Sequence, residues 1–322
     1  MYPLSHITWI LAPMDGITDY CYRNAWLEVF GRYSRMRRAV SPFVTLVRCE
    51  AVKPSHLADL WRSNNRMEVE PQILGNEVEF FPPMASALAD MGYDSVNWNL
   101  GCPMKRVAHK QRGSGLLPYP ERIDAFLEKA FSSTAMGLSV KIRLGYFRKE
   151  EIYPVLKVLN RYPLRYVALH PRIGTQLYGG QPDWEAEEEA LALLRHPLVH
   201  SGDIGSVSQA ETFVRRFPGI DHIMIGRGVI ADPFLPCRLC GTEFGAEQEK
   251  RLFADFVVAL WRHYTESEYP ETTVLQRQKM FWSRFSGNFV PPGGFDAVKR
   301  TPTVAAYRQV CRELLTPYKT DF

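Results

Sequence analysis

The stretch LSVKIRLGYFRKEEIYPVLKVLNRYPLRYVALH, residues 138–170, reads as a complete strand–helix–strand unit. Residues 138–144 and 166–170 are short, mainly apolar runs, as expected of strands that are buried on both faces of a parallel sheet. The segment between them is predicted to be helical, and Pro154 lies early in it, where the first turn of a helix tolerates proline. The unit therefore predicts two parallel strands joined by a helical crossover.

The same alternation recurs along most of the chain. The eight candidate strands are residues 7–12, 39–47, 69–74, 95–100, 138–144, 166–170, 198–201 and 222–225. Strand and helix alternating eight times predict a closed (β/α)₈ TIM barrel. An open doubly wound sheet also alternates in this way, so the count alone leaves closure of the barrel open.

The pattern changes after Pro233, and from about Gly245 onward no strand is predicted. Helices are predicted at residues 252–264, 272–285 and 303–315, and a loop rich in proline and glycine at residues 287–295. We therefore divide the chain into a TIM-barrel domain, residues 1–240, and an all-helical C-terminal domain, residues 245–322. The side chains expected to form the core of the second domain are Trp261, Tyr264, Phe281, Trp282 and Phe285.

The composition is that of an ordinary soluble globular protein, with 46% hydrophobic and 23% charged residues. No stretch approaches the ~20 apolar residues that a membrane span needs, and no secretion signal is evident at the N-terminus. We expect a cytoplasmic monomer with reduced cysteines. Cys237 and Cys240 have a metal-like spacing, but four ligands are lacking, so no metal site is predicted.

Polar residues fall where the candidate strands end. In a barrel of this kind the carboxyl ends of the strands meet at one mouth, which is where active sites lie. A lysine within an otherwise apolar strand, as at Lys141, is costly to bury without a partner. The residues at these ends are Pro13, Met14, Asp15, Gln72, Asn97, Asn99, Cys102, Lys141, Arg143, His170, Arg172, Ser201, Gly202, Asp203, Gly226 and Arg227.

The last two strand ends predict a phosphate site. The loops after strands seven and eight commonly hold phosphate in these barrels. Residues 201–206 and 226–228 offer glycines for close backbone approach, amide donors and the guanidinium of Arg227. No dinucleotide fingerprint follows any strand, so a mononucleotide such as FMN is favoured over a dinucleotide.

Six segments in this order resemble the signature of the tRNA-dihydrouridine synthases. They are LAPMDGITD (11–19), NLGCP (99–103) with GSGLL (113–117), KIRLG (141–145), HPR (170–172), SGDI (201–204) and IGRG (225–228). The resemblance covers about residues 10–230. A weaker likeness, RQKMFW at 277–282, is to the family's basic and aromatic RNA-binding segment.

The resemblance implies FMN as the bound cofactor and NADPH as its reductant. Lys141 would place positive charge near the flavin edge that becomes negative on reduction, and His170 would contact the flavin or the uracil. The residues implied to hold FMN are Pro13, Met14, Asp15, Gln72, Lys141, His170, Ser201, Gly202, Asp203, Gly226 and Arg227.

The resemblance also implies tRNA as the substrate. A D-loop uridine would be flipped out, take a hydride at C6 and receive a proton at C5 from Cys102, whose thiol is mostly protonated at neutral pH. The catalytic residues would be Cys102, Lys141 and His170. The residues implied to contact RNA are Asn97, Asn99, Arg172, Tyr178, Arg277 and Lys279.

The sequence departs from the family pattern at three positions. Ser201 replaces a usual asparagine, Asn97 replaces a common aspartate, and residues 41–43 lack a frequent acidic residue. The Pro-Met-Asp-Gly segment and the segment containing Tyr178 lean toward the subgroup that acts on uridine 16. Two alternatives stay open: an FMN-dependent dehydrogenase of a free pyrimidine such as dihydroorotate, and a tRNA-binding homologue without activity.

Overall fold

The computed structural model of the protein describes residues 3–47, 57–285 and 293–315. Its first part is a closed barrel of eight parallel strands, in which each strand pairs with the next and the eighth pairs with the first. The strands are β1 (Thr8–Leu11), β2 (Arg38–Thr45), β3 (Glu68–Leu74), β4 (Ser95–Leu100), β5 (Gly137–Gly145), β6 (Val167–Ile173), β7 (Leu198–His200) and β8 (His222–Ile225). The closed order confirms the predicted TIM barrel and excludes the open sheet.

Helices follow the strands and cover the outside of the barrel. They are α1 (Tyr20–Phe30), α2 (Phe81–Asp90), α3 (Lys105–Ala108), α4 (Pro120–Ser133), α5 (Ile152–Leu159), α6 (Trp184–Leu193), α7 (Val207–Arg216), α8 (Arg227–Ala231) and α9 (Leu235–Arg238). Pro154 lies in the first turn of α5, as predicted. α7 begins after Ser206, whose hydroxyl accepts a hydrogen bond from the Gln209 amide at 3.2 Å and so caps the helix.

Alternate residues of each strand face opposite sides of the barrel wall, because side chains alternate along a strand. On β4, for example, Val96 and Trp98 pack outward into the core shared with the helices, whereas Asn97 and Asn99 bond to other side chains of the interior. The interior is divided into two halves. The half from β1, β2 and β6–β8 holds an apolar cluster of Ile10, Ala12, Val40, Ala168, Val199 and Met224.

The half of the interior contributed by β3–β5 is polar. Its inward side chains are Glu70, Gln72, Asn97, Asn99, Ser139, Lys141 and Arg143. All of these residues except Glu70 and Lys141 are less than a tenth exposed. Because a buried polar group is costly unless it is hydrogen-bonded, this half of the barrel must satisfy its polar atoms internally or with a ligand.

The C-terminal part is helical, as expected. It consists of α10 (Ala246–Thr265), α11 (Glu271–Arg284), α12 (Gly294–Arg300) and α13 (Val304–Leu315). The five aromatic side chains expected in its core are all buried, which confirms that prediction. Residues 287–292 of the expected loop lie outside the described residues. The predicted C-terminal boundary of this loop, residue 295, was wrong, because α12 already begins at Gly294. Gly293, directly before it, has a φ of +84°.

The helical part packs on the barrel through α1 and α10. The Tyr264 hydroxyl donates to the Asp19 carboxylate at 2.9 Å, and Arg277 lies 3.7 Å from the same carboxylate. Burial, together with the charge of Asp59, raises the pKa of Asp19 to about 6. Among the helices that the structure describes, none combines the length and apolar character that crossing a bilayer requires.

Candidate active site

A cavity of about 330 Å³ opens at the carboxyl ends of the strands. It is large enough for a small organic ligand or a cofactor ring. The structure brings thirteen of the predicted site residues together on its wall: Pro13, Met14, Asp15, Asn99, Cys102, Lys141, His170, Tyr178, Ser201, Gly202, Asp203, Gly226 and Arg227.

Lys141 lies on the polar side of the cavity, with Arg143 two residues further along the same inward face of β5. Burial, and then the positive charge of Arg143, lower the pKa of Lys141 to about 7. The same burial lowers the pKa of Arg143 to about 10, which leaves that guanidinium charged at neutral pH. A lysine held this way is partly neutral alone and gains its full charge when an anion is placed beside it.

Cys102 lies in the loop after β4, which is fixed from two sides. Asn99 Oδ1 accepts hydrogen bonds from the backbone amides of Gly101, at 3.0 Å, and Cys102, at 2.8 Å. The backbone oxygen of Cys102 accepts from the Ser114 amide at 3.1 Å and from the Ser114 hydroxyl at 3.0 Å. Burial raises the pKa of the Cys102 thiol, so it stays protonated at neutral pH and can act as a proton donor.

Gly113 makes this arrangement possible. Its φ of +56° lies in the left-handed region, and a Cβ there would approach the Cys102 backbone oxygen to 2.7 Å. The Gly-Ser-Gly segment that follows the cysteine motif therefore packs closely against the cysteine loop and hydrogen-bonds to it.

His170 belongs to a network of polar side chains along β6 and the loop after β7. Arg172 Nη1 lies 3.0 Å from His170 Nε2, and its other donors bond to Asp203 and to the backbone oxygens of Gly179 and Gly180. Burial and neighbouring cations hold the pKa of His170 well below its usual range, so the ring is neutral. Because a guanidinium only donates, Nε2 is the acceptor and Nδ1 carries the proton.

Asp203 connects this chain to Arg227, with which it forms a close ion pair. Burial alone would raise the pKa of Asp203, but the hydrogen bond from Arg172 and the charge of Arg227 hold it below its usual value. Tyr178 lines the cavity beside two of its arginines. Its ring is 4.7 Å from the Arg227 guanidinium and 5.3 Å from that of Arg143.

Two of the residues predicted to contact the substrate, Asn97 and Arg172, do not line the cavity, and their polar atoms are hydrogen-bonded inside the protein. Asn97 is fully buried below the cavity floor; it accepts from Gln72 and donates to Ser139. The Arg172 guanidinium is only 1% exposed, and each of its three nitrogens is hydrogen-bonded, to Asp203, to His170 and to two backbone oxygens. Both residues support their neighbours instead of facing a ligand.

Gln72 also lies beneath the floor, fully buried between Asn97 and Asn99. Its Nε2 donates to Asn97, and it does not line the cavity. Arg277 and Lys279 do not line the cavity either: Arg277 lies beside Asp19, and the Lys279 amine donates to the backbone oxygen of Thr301. Their predicted contacts with RNA stay untested.

The cavity wall also contains residues to which the sequence assigned no role. Arg143 was placed at a strand end without a role, and its inward parity, the same as that of Lys141, could have indicated one. Met280 and Arg284 reach the mouth from one face of α11, four residues apart. No local signal marks Phe43 of β2, which lies at an irregularity in the pairing of β2 with β3.

The donor set of the cavity fits an anionic aromatic mononucleotide. Five cations on its wall face two carboxylates; the cations are Arg106, Lys141, Arg143, Arg227 and Arg284. Asp15 and Asp203 are each already paired, with Arg106 at 3.5 Å and with Arg227. Gly202 and Gly226 line the wall together with Arg227, and backbone amides beside a guanidinium suit a phosphate. The wall thus fits an FMN-like group.

The model of the family described as "Dihydrouridine synthase (Dus)" matches residues 10–283. A probable tRNA-dihydrouridine synthase of Rhizobium leguminosarum bv. phaseoli is 26% identical over 287 residues, which are 88% of this chain and 86% of that protein. One from Staphylococcus epidermidis is 30% identical over 237 residues, 70% of this chain and 69% of its own. The tRNA-dihydrouridine synthase B of Pasteurella multocida is 27% identical over 229 residues, 70% and 66% of the two chains.

Solved structures match at the level of the fold. A 2-naphthoyl-CoA reductase superposes with a TM-score of 0.54 at 12% identity, over 72% of this chain and 50% of its own. Histamine dehydrogenase of Rhizobium sp. 4-9 gives a TM-score of 0.54 at 11% identity, over 78% and 48% of the two chains. At such identities the match supports the barrel architecture alone.

Proposed function

Because the chain belongs to the dihydrouridine synthase family and is thus an oxidoreductase, we propose that it reduces the C5–C6 double bond of uridine in the D-loop of tRNA. The single observation that carries the proposal is the shared cavity of Cys102, Lys141 and His170. A thiol, a cation and a neutral imidazole of fixed tautomer meet there in a space that a flipped base can enter.

FMN, reduced by NADPH, would supply the hydride that the reaction needs. On this proposal Lys141 and Arg143 hold the ring edge that carries negative charge, and Arg227 holds the phosphate, with Ser201 and Gly202 beside it. The lowered pKa of Lys141 suits this role, since a nearby anion would return the amine to its charged form. Pro13, Met14, Asp15, Asp203 and Gly226 complete the cofactor-binding wall.

Cys102 is the proton donor to C5 on this proposal. As the new C–H bond forms at C6, charge develops on the C5 side of the uracil, and the Cys102 thiol gives up its proton there. The raised pKa keeps the thiol protonated until that moment, and water re-protonates the thiolate afterwards.

Asn99 can contribute one specific contact. Both lone pairs of its Oδ1 are used by backbone amides, and one Nδ2 hydrogen is used by Gln72 at 2.8 Å. The remaining hydrogen can only donate, so Asn99 would bond a carbonyl oxygen of uracil and not its N3–H. The Nδ1–H of His170 is a second donor, and Tyr178 offers a ring at the mouth.

The test is formation of dihydrouridine in a uridine-containing tRNA transcript, measured by mass spectrometry of the digested RNA. We expect turnover by the flavin-loaded protein with NADPH, and strong slowing in Cys102→Ala with bound flavin unchanged. Cys240→Ala is the matched control, since Cys240 lies far along the chain beside Ser34. Full activity of Cys102→Ala would remove the proton-donor role.

The same assay decides between the proposal and its alternatives. A steep loss of rate with salt is expected for a tRNA substrate and not for a free pyrimidine. Mapping the modified position tests the finer proposal that uridine 16 is the target. Turnover of dihydroorotate without any change in tRNA would replace the proposal, and flavin-free protein that binds tRNA without reducing it would favour the inactive homologue.

A further inference from the structure

A continuous chain of hydrogen bonds runs from Asn99, at the cavity, down through the polar half of the barrel. Asn99 Nδ2 donates to Gln72 Oε1 at 2.8 Å, and Gln72 Nε2 donates to Asn97 Oδ1 at 2.7 Å. Asn97 Nδ2 donates to the Ser139 hydroxyl at 2.7 Å, which donates to Glu70 Oε1 at 2.8 Å. The chain therefore leads from the cysteine loop to Glu70 at the amino end of the barrel.

All links of this chain point the same way. Each side chain accepts from the residue above it and donates to the residue below it. Asn97, Asn99 and Gln72 carry both a donor and an acceptor, so each amide alone could face either direction. The backbone amides of Gly101 and Cys102 can only donate to Asn99, and an ionised Glu70 can only accept from Ser139, so both ends of the chain require the same direction.

The direction matters at the upper end. With its oxygen toward the loop, Asn99 accepts from the backbone amides of Gly101 and Cys102. If the amide were reversed, its NH₂ group would face two backbone N–H donors, and both hydrogen bonds would be lost. The loop that holds the thiol would then keep the Ser114 contacts and the hydrogen bond from Arg143 Nε to the Gly101 backbone oxygen, but would lose both bonds to Asn99.

Glu70 has no other evident use. It is half-buried beside a second cavity of about 410 Å³, at the amino end of the barrel. The two arginines of that cavity nearest to it pair with other acids, Arg38 with Glu68 and Arg165 with Asp94. Burying a carboxylate without an ion pair is costly, and here the Tyr166 hydroxyl and Ser139 are its hydrogen-bond donors.

We propose that Glu70 is a positioning residue for the Cys102 loop, which it orients through Ser139, Asn97, Gln72 and Asn99. Only the expected effect of Glu70 on kcat rests on the proposed function. The order of the loop itself can be measured without any substrate, by the rate at which Cys102 reacts with iodoacetamide.

The experiment compares Glu70→Leu, which has no acceptor, with Glu70→Gln, whose side-chain oxygen can still accept from Ser139. Ser139→Ala cuts the same chain one link higher. Glu68→Leu is the control, because Glu68 lies two residues away on β3 but is exposed and outside the chain. Two quantities are measured: kcat and KM for tRNA, and alkylation of Cys102 followed by mass spectrometry.

In Glu70→Leu and in Ser139→Ala we expect kcat to fall by at least about fivefold, since small displacements of a reacting group are strongly felt. KM for tRNA should stay within about twofold, and Cys102 should be alkylated faster because its loop is less fixed. Glu70→Gln should restore most of the rate, and the double variant Glu70→Leu/Ser139→Ala should be no worse than either single one.

Unchanged kcat and unchanged alkylation in both Glu70→Leu and Ser139→Ala would overturn the proposal. An equal effect in Glu68→Leu would also overturn it, since the change would then reflect the barrel end in general. If the wild-type protein forms no dihydrouridine, the proposed function fails, and the alkylation rates alone still decide the role of Glu70.

Discussion

Replacing Lys141 by methionine should stabilise the protein when it is stripped of cofactor. Methionine preserves the length and apolar stem of the side chain but removes an amine whose charged form is penalised by burial and by Arg143. Among the described residues, no carboxylate contributes to holding the charge of Lys141. The folded protein therefore binds the proton of this lysine less tightly than the unfolded chain does.

The size of the effect follows from the pKa of about 7 in the folded protein and the ordinary value of 10.5. Between these two values the unfolded chain holds a proton that the folded protein lacks, so stability rises with pH across the window. At pH 7 the lysine destabilises the folded protein by up to about 4 kcal/mol, and at pH 9 by about 2 kcal/mol. The variant should therefore be more stable at pH 7, and its advantage should shrink by about 2 kcal/mol at pH 9.

Urea unfolding of both proteins at pH 7, 8 and 9 measures this difference. Cysteines and other groups that titrate in this range are the same in the two proteins, so their contributions cancel in the comparison. A variant that is less stable than the wild type at pH 7, or an advantage that does not change with pH, would refute the reasoning. Flavin binding should weaken in the same variant, because the ring edge loses its cation.

Two further substitutions test how the site is supported. Gly113→Ala should destabilise the protein by about 1–3 kcal/mol and slow turnover, because the new Cβ meets the Cys102 backbone oxygen at a positive φ; urea unfolding and the tRNA assay check it, and a neutral effect on both would contradict it. His200→Leu should cost about 3–5 kcal/mol in unfolding free energy, because it leaves the fully buried Glu187, now 2.7 Å from His200 Nδ1, without its partner. His200→Leu/Glu187→Leu should recover most of that loss, and a single-variant cost below about 1 kcal/mol would count against the argument.

The sequence was sufficient for the barrel because each strand carries its own signal. The apolar runs at 167–169 and 223–225, for example, are short, and helical spacing follows them. The alternation of side chains along a strand also distinguishes residues that face the site from residues that pack against the helices. His200 lies on β7 next to Ser201, but it faces outward, where its ring packs 3.8 Å from that of Phe213. His200 is therefore a packing residue, although it lies directly before a residue of the site.

The depth of an inward residue could not be predicted. Asn97 and Asn99 share a strand and a face, but only Asn99 reaches the cavity. The difference comes from the register between strands, in which Gln72 lies beside Asn97, and Asn97 beside Ser139. A single strand does not encode its stagger against its neighbours, so polar residues of one face were all assigned to the ligand. The approach of Arg284 to the mouth depends likewise on how α11 docks.

The polar half of the barrel shows why such assignments need a count of hydrogen-bonding capacity. Asn97 is hydrogen-bonded to Gln72, Ser139 and Tyr166 below the cavity floor, Asn99 has one donor left, and among the described residues no acid neutralises Lys141. The side chains with unused hydrogen-bonding groups lie at the mouth, and those deeper in the barrel are hydrogen-bonded to one another. Since an unsatisfied buried group is stable only when something else completes it, the remaining capacity of Lys141 and Asn99 points to the ligand. The hydrogen-bonded side chains below them, Gln72 and Asn97, fix the position of Asn99.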